Sequence, residues 1–76
     1  MNAVNIERGE AVRRALLAVA RVAHAQSVPL PTAETISSRI GICEEQCRRH
    51  FRRLIDDGVV VTRRVGTRRH IEEIRP

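Results

Sequence analysis

Apolar residues recur along this chain with two different periods, and the change of period divides it. From about Ile6 or Gly9 to Ala25 or Gln26 the spacing is helical. Val12, Leu16, Val19 and Ala23 mark one face; Ala11, Ala15, Ala18, Val22 and Ala25 form a second stripe beside it. The polar wedge holds Glu10, Arg13, Arg14, Arg21 and His24, interrupted by Leu17. A helix resting on one core needs an apolar stripe somewhat over ~100° wide, and this one spans roughly twice that. The pattern predicts cover on two sides. One cover is the domain's own core. The other is a second copy of the chain, contacting Ala11, Ala15, Ala18 and Val22, or else the N-terminal arm with the C-terminal strand. Residues 1–8 are expected to be that arm, with Val4 and Ile6 docked on the domain.

Ser27-Val28-Pro29-Leu30-Pro31 stops the helix, because two prolines in three residues favour extended chain. Thr32 is a good N-cap for a second helix, and Glu34 is favourable near its positive end. Ile36 and Ile40 lie one turn apart and face inward. Gly41 ends this helix in the left-handed conformation expected of a C-cap. Ile42 anchors the turn. A third helix is predicted from about Glu44 to Asp57, with Cys47, Phe51 and Leu54 as its buried edge. Gly58 stops it. The β-branched run Val59-Val60-Val61-Thr62 then reads as a strand, Val65-Gly66-Thr67 as a turn, and Arg68 to Ile74 as a returning strand. The chain is thus one domain over residues 1–76, mainly α with a small β-hairpin. A helix-turn-helix occupies residues 32–57 and a hairpin residues 58–74.

Charge is not spread evenly over this pattern. The net charge is +5, and residues 37–69 carry nine arginines against four acids. All fourteen basic residues are arginine. A GC-rich coding sequence explains that bias, and so does the fit of arginine's planar fork to phosphate and guanine. A pI near 11.2 with clustered arginine argues for a polyanionic partner. One Phe, with no Trp or Tyr, leaves a core of Ile, Leu, Val and Ala. It also argues against single-strand binding, where bases stack on aromatic platforms. A chain of 76 residues buries only about 60% of its unfolded surface, so a partner subunit is plausible on size alone.

The segment from Thr32 to Arg69 resembles the winged helix-turn-helix domains of bacterial and phage transcriptional regulators. The resemblance rests on Ile40-Gly41-Ile42-Cys43, then Phe51-Arg52-Arg53-Leu54-Ile55-Asp56-Asp57-Gly58-Val59-Val60, and covers residues 32–71. It implies a short extra strand at Ser27–Pro31 pairing with the hairpin, giving the order helix, short strand, helix, helix, strand, strand. It further implies that the third helix reads bases in a major groove while the hairpin, or wing, grips phosphates or the minor groove. The candidate reading residues are Glu45, Gln46, Arg48, Arg49, Arg52 and Arg53, with Arg48 and Arg49 nearest the base edges. Thr35, Ser38 and Arg39 on the second helix are candidates for backbone contacts, which set register but not sequence. Arg63, Arg64, Arg68 and Arg69 are the wing candidates. Strand alternation sends about half of them toward DNA.

Three features depart from the family's pattern. Cys43 stands where a Ser or Thr cap is usual. The wing is purely arginine. Glu44 and Glu45 sit where neutral or basic groups often meet DNA. These acids stabilise the helix start through its dipole, or Glu45 accepts a hydrogen bond from a cytosine amine. Unpaired acids facing phosphate are the best argument in the sequence against DNA.

Cys43, Cys47 and His50 share one helical face, but one helix rarely supplies a tetrahedral site and no second Cys pair exists, so no metal is expected. Cys47 reads as a small buried hydrophobe. No Ser-His-Asp set or Gly-rich phosphate loop is present, so neither catalysis nor a cofactor is expected. The N-terminus lacks the form of a secretory signal, no apolar run approaches ~20 residues, and two cysteines fit a reduced, cytoplasmic protein. Together these readings predict a sequence-specific duplex DNA-binding protein, a dimeric repressor-type regulator. The other class they admit is a winged-helix protein-interaction module, such as a phage-encoded adaptor or inhibitor of a host protein.

Overall fold

The computed structural model describes the backbone of residues 3–75 and the side chains of residues 9–75. Over these the chain is a small α+β fold of three helices and a two-stranded antiparallel hairpin. Helix α1 spans Ala3–Gln26, α2 Ala33–Ile40 and α3 Glu44–Asp56; strand β1 spans Val60–Val65 and β2 Arg68–Ile74. The expected arm at residues 1–8 is replaced by helix from Ala3 onward. No proline lies between Ala3 and Glu10, so nothing in the sequence there forbids the earlier start. The docking expected of Val4 and Ile6 lies outside the described side chains.

The helix ends show how local sequence punctuates the chain. At the end of α1, Ser27 N–H donates to His24 C=O (3.2 Å) and Val28 N–H donates to Ala23 C=O (3.1 Å). At the end of α3, Gly58 N–H donates to Ile55 C=O and Val59 N–H to Leu54 C=O, both at 3.0 Å. Both ends are Schellman motifs, in which a left-handed residue lets the next N–H reach back over the last turn. Gly58 supplies that residue at φ 76°, whereas α1 uses Ser27 at φ 55°. α2 starts at Thr32, whose hydroxyl accepts from Thr35 N–H at 3.2 Å. It stops at left-handed Gly41, φ 73°, whose N–H donates to Ser37 C=O. The Ser37 hydroxyl donates to Ile42 C=O and closes the turn from the other side.

The predicted third strand at Ser27–Pro31 does not form. A single backbone bond, Leu30 N–H to Arg69 C=O at 2.7 Å, ties that segment to the hairpin. A ladder would recruit the N–H groups at alternate positions, residues 28 and 32. Val28 N–H is already committed to Ala23, and Thr32 opens α2. Pro29 and Pro31 have no N–H to offer the other edge.

The core is aliphatic, with Leu16, Ala20, Leu54 and Val60 at 1% exposure or less. Phe51, Ile36, Cys47, Leu30, Val12, Ala23 and Ile71 complete it. Ala20 rather than Val19 lies at its centre on α1, and Val19 and Leu17 are packed at its margin. In the hairpin the register shifts between Val61, paired with Glu73, and Thr62, paired with Ile71. Glu72 is therefore an extra, bulged residue. The bulge lets Ile71 and Ile74, three apart, both turn toward the core.

Candidate nucleic-acid interface

Cross-strand register decides where the hairpin's arginines go. Arg64 faces Arg69, Val65 faces Arg68, and Arg63 faces His70. Arg69 lies two residues from buried Ile71, so Arg64 and Arg69 extend the inward face of the hairpin past the edge of the core. There they meet α3. A groove of about 600 Å³ runs between α3, the hairpin and the Leu30–Ala33 segment. Its floor is apolar, with Leu30, Ile36, Cys47, Phe51 and Ile55. Its rim carries Arg48 and Arg52 from one side and Arg64, Arg68 and Arg69 from the other. Asp56 and Thr67 also line it, so one acid stands among the groove's cations. Five arginines separated by up to 21 positions are thus gathered around one concave surface.

The four α3 arginines divide. Arg48 and Arg52 line the groove, while Arg49 and Arg53 sit on the exposed face beyond it, as do Glu45 and Gln46. Of the wing candidates, Arg64, Arg68 and Arg69 reach the groove. Arg63 is exposed but does not line it. Thr35 and Ser38 are exposed on α2, and the Thr35 hydroxyl lies 3.0 Å from that of Thr32. Arg39 lines a different depression, beside Val22, Val28 and Pro31.

Two ion pairs run along the first turns of α3. Arg48 Nη2 donates to Glu44 Oε1, and Arg49 Nη2 lies 3.3 Å from Glu45 Oε1. Both pairs are at i, i+4, with the acid toward the N-terminus, the favoured orientation on a helix. All four side chains are at least 41% exposed, so the pairs add little to stability. Arg52, Arg53, Arg64, Arg68 and Arg69 have no ion-pair partner among the described residues. Asp57 does not line the groove and lies 3.6 Å from Arg13 of α1. Directly opposed like charges such as Arg64 and Arg69 destabilise a hairpin. The cluster is therefore costly to the free fold.

The cysteines behave differently from each other. Cys43 is exposed and caps α3 without a side-chain hydrogen bond. Cys47 is buried in the core, and burial, then the charges of Cys43 and Glu44, push its thiol above the ordinary value of 9.0. Among the described residues no group of three His, Cys, Asp or Glu is placed to hold a metal ion. No described helix is long and apolar enough to cross a membrane. His24 is exposed, and its Nδ1 lies 3.2 Å from Ile71 C=O, linking α1 to β2.

The expected second-copy stripe on α1 lies open in the single chain. Ala11, Ala18 and Val22 are exposed and Ala15 is half-buried. Val22 at 54% exposure and Val28 at 41% border a second, apolar depression of about 350 Å³. Comparison of this chain with protein-family models, with curated proteins and with solved structures returns no match.

Proposed function

We propose that this chain is a winged helix-turn-helix protein that binds duplex DNA in a sequence-specific manner. The observation that carries the reading is the convergence of Arg52, Arg64, Arg68 and Arg69 on the groove between α3 and the hairpin, with Arg48 at its rim near the start of α3. A phosphodiester backbone following that groove meets cations from both sides. The repulsion within the Arg64–Arg69 pair is relieved as it does so. α3 then projects its open face into the major groove, with Arg48 and Arg49 toward base edges and Gln46 and Glu45 beside them. Bidentate arginine–guanine contact discriminates by about 1–3 kcal/mol. Arg53 and the wing arginines meet phosphate, and Thr35, Ser38 and Arg39 contribute backbone contacts from α2. The α2–turn–α3 unit followed by a hairpin, with the Leu30–Arg69 bond standing in for a third strand, supports the winged-helix assignment.

The same reading makes the protein a cytoplasmic homodimer that regulates transcription as a compact repressor, of the type found in phages and mobile elements. It needs no cofactor and performs no catalysis. The open stripe of Ala11, Ala15, Ala18 and Val22 is the dimer contact. The test is a paired substitution, Arg48→Ala with Arg49→Ala, measured for duplex binding and for oligomeric state. Lost binding with the oligomer intact supports the regulator. Unchanged binding overturns the assignment of these two residues as readers.

One observation favours a second reading. The depression bordered by Val22 and Val28 is apolar and uncovered, the character of a surface that takes a foreign protein. In that case the chain is an interaction module, and activity survives substitution of the groove arginines but not of Val22.

A further inference from the structure

We infer that Glu44 and Glu45 are positioning residues that trade affinity for sequence discrimination. They hold the Arg48 and Arg49 guanidiniums and make them poor ligands for phosphate in general. The inference rests on the duplex-binding reading above.

The geometry carries it. Each acid engages its arginine through one contact, to Nη2, one turn along the helix. A guanidinium has five N–H groups in a fixed fork, so a single contact leaves the rest available. A guanine edge offers two acceptors, O6 and N7, to such a fork, and an arginine already held needs less ordering to meet them. A phosphate offers charge alone, and it meets an arginine whose charge is already balanced beside a carboxylate that repels it. The pairing therefore lowers the sequence-independent part of binding more than the base-reading part. The contrast within α3 supports this division. Arg48 and Arg49, at the end nearest the turn, are both paired, whereas Arg52 and Arg53, one turn on, have no such partner among the described residues. The helix thus carries two held arginines and two free ones, a separation of reading from gripping.

The experiment compares the parent chain with Glu44→Gln, Glu45→Gln and Glu45→Asp. Each is titrated against random-sequence duplex and against the duplex recovered by selection with the parent. Helix content and melting temperature are recorded alongside. Removing a unit charge about 7 Å from one phosphate in water is worth about threefold in affinity. Glu44→Gln and Glu45→Gln are expected to bind random duplex about threefold tighter and the selected duplex no tighter, so the ratio between them falls. Glu45→Asp keeps the charge but shortens the reach to Arg49. It is expected to lower affinity for the selected duplex while leaving random duplex unchanged. If all three variants keep the parent's ratio and shift only the melting temperature, the acids merely stabilise the helix start and the inference is overturned. A parent chain that binds no duplex overturns the duplex-binding reading itself, and this inference with it.

Discussion

Ser27 closes α1 at φ 55°, a conformation that costs a non-glycine residue roughly 1–2 kcal/mol. Gly58 closes α3 by the same hydrogen-bond pattern with no such cost. Ser27→Gly is therefore expected to stabilise the protein by about 0.5–1 kcal/mol in urea unfolding. A neutral or destabilising result means that Ser27 makes a contact that offsets its strain. Cys43 offers the matching case at a helix start. It caps α3 without a side-chain bond, so Cys43→Ser should gain about 1 kcal/mol by restoring one to the N–H groups of the first turn. The buried partner thiol gives a pH prediction. Its folded value lies above 9.0, so folding favours the neutral thiol. The stabilisation is complete below pH 9.0 and is lost as pH rises through the folded value. Unfolding midpoints measured across that range should fall, and Cys47→Ala should remove that part of the decline. In the native state Cys43 alone should react promptly with a disulfide reagent.

Most of the element boundaries are legible in the sequence because single residues set them. Thr32, Gly41 and Gly58 each have a chemical reason to start or stop a helix, and each does so. The missing strand at Ser27–Pro31 was not legible, because its failure depends on Val28 N–H being used by α1. The hairpin bulge at Glu72 was equally hidden, since alternation alone puts Ile71 and Ile74 on opposite faces. Ala20 is fully buried on α1, yet a small side chain gives little signal in a pattern of bulky apolar positions. The arginines of the candidate site could be named, but their grouping could not. Which of them face one groove depends on the pairing of Arg64 with Arg69. Arg64→Thr removes a like-charge pair and adds a β-branched residue. It should raise the melting temperature, by up to about 1 kcal/mol of stability, while weakening duplex binding. A variant both more stable and equally tight would remove Arg64 from the interface.

At the scale of the whole molecule, charge and apolar surface occupy different places. The arginine groove lies between α3 and the hairpin, and the uncovered apolar stripe lies on α1. A small domain that leaves Val22 and Val28 exposed gains from covering them with a second subunit. Val22→Glu should convert the proposed dimer to a monomer in sedimentation and reduce affinity for a two-half-site duplex, with half-sites about 10 bp apart or a multiple of it. A parent chain that sediments as a monomer at high concentration contradicts the dimer. Whether the arginine groove seats a DNA backbone is read from the salt dependence of duplex binding. Fluorescence anisotropy with a labelled duplex pool of about 30 bp, from low to physiological salt, supplies it. Each neutralised phosphate contributes about −0.9 to the slope of log K against log salt. A backbone seated in the groove gives tight binding at low salt, a slope steeper than about −3, and weaker binding to single strands and to RNA. No duplex binding at low salt, or a shallow slope with equal affinity for single strands, contradicts it.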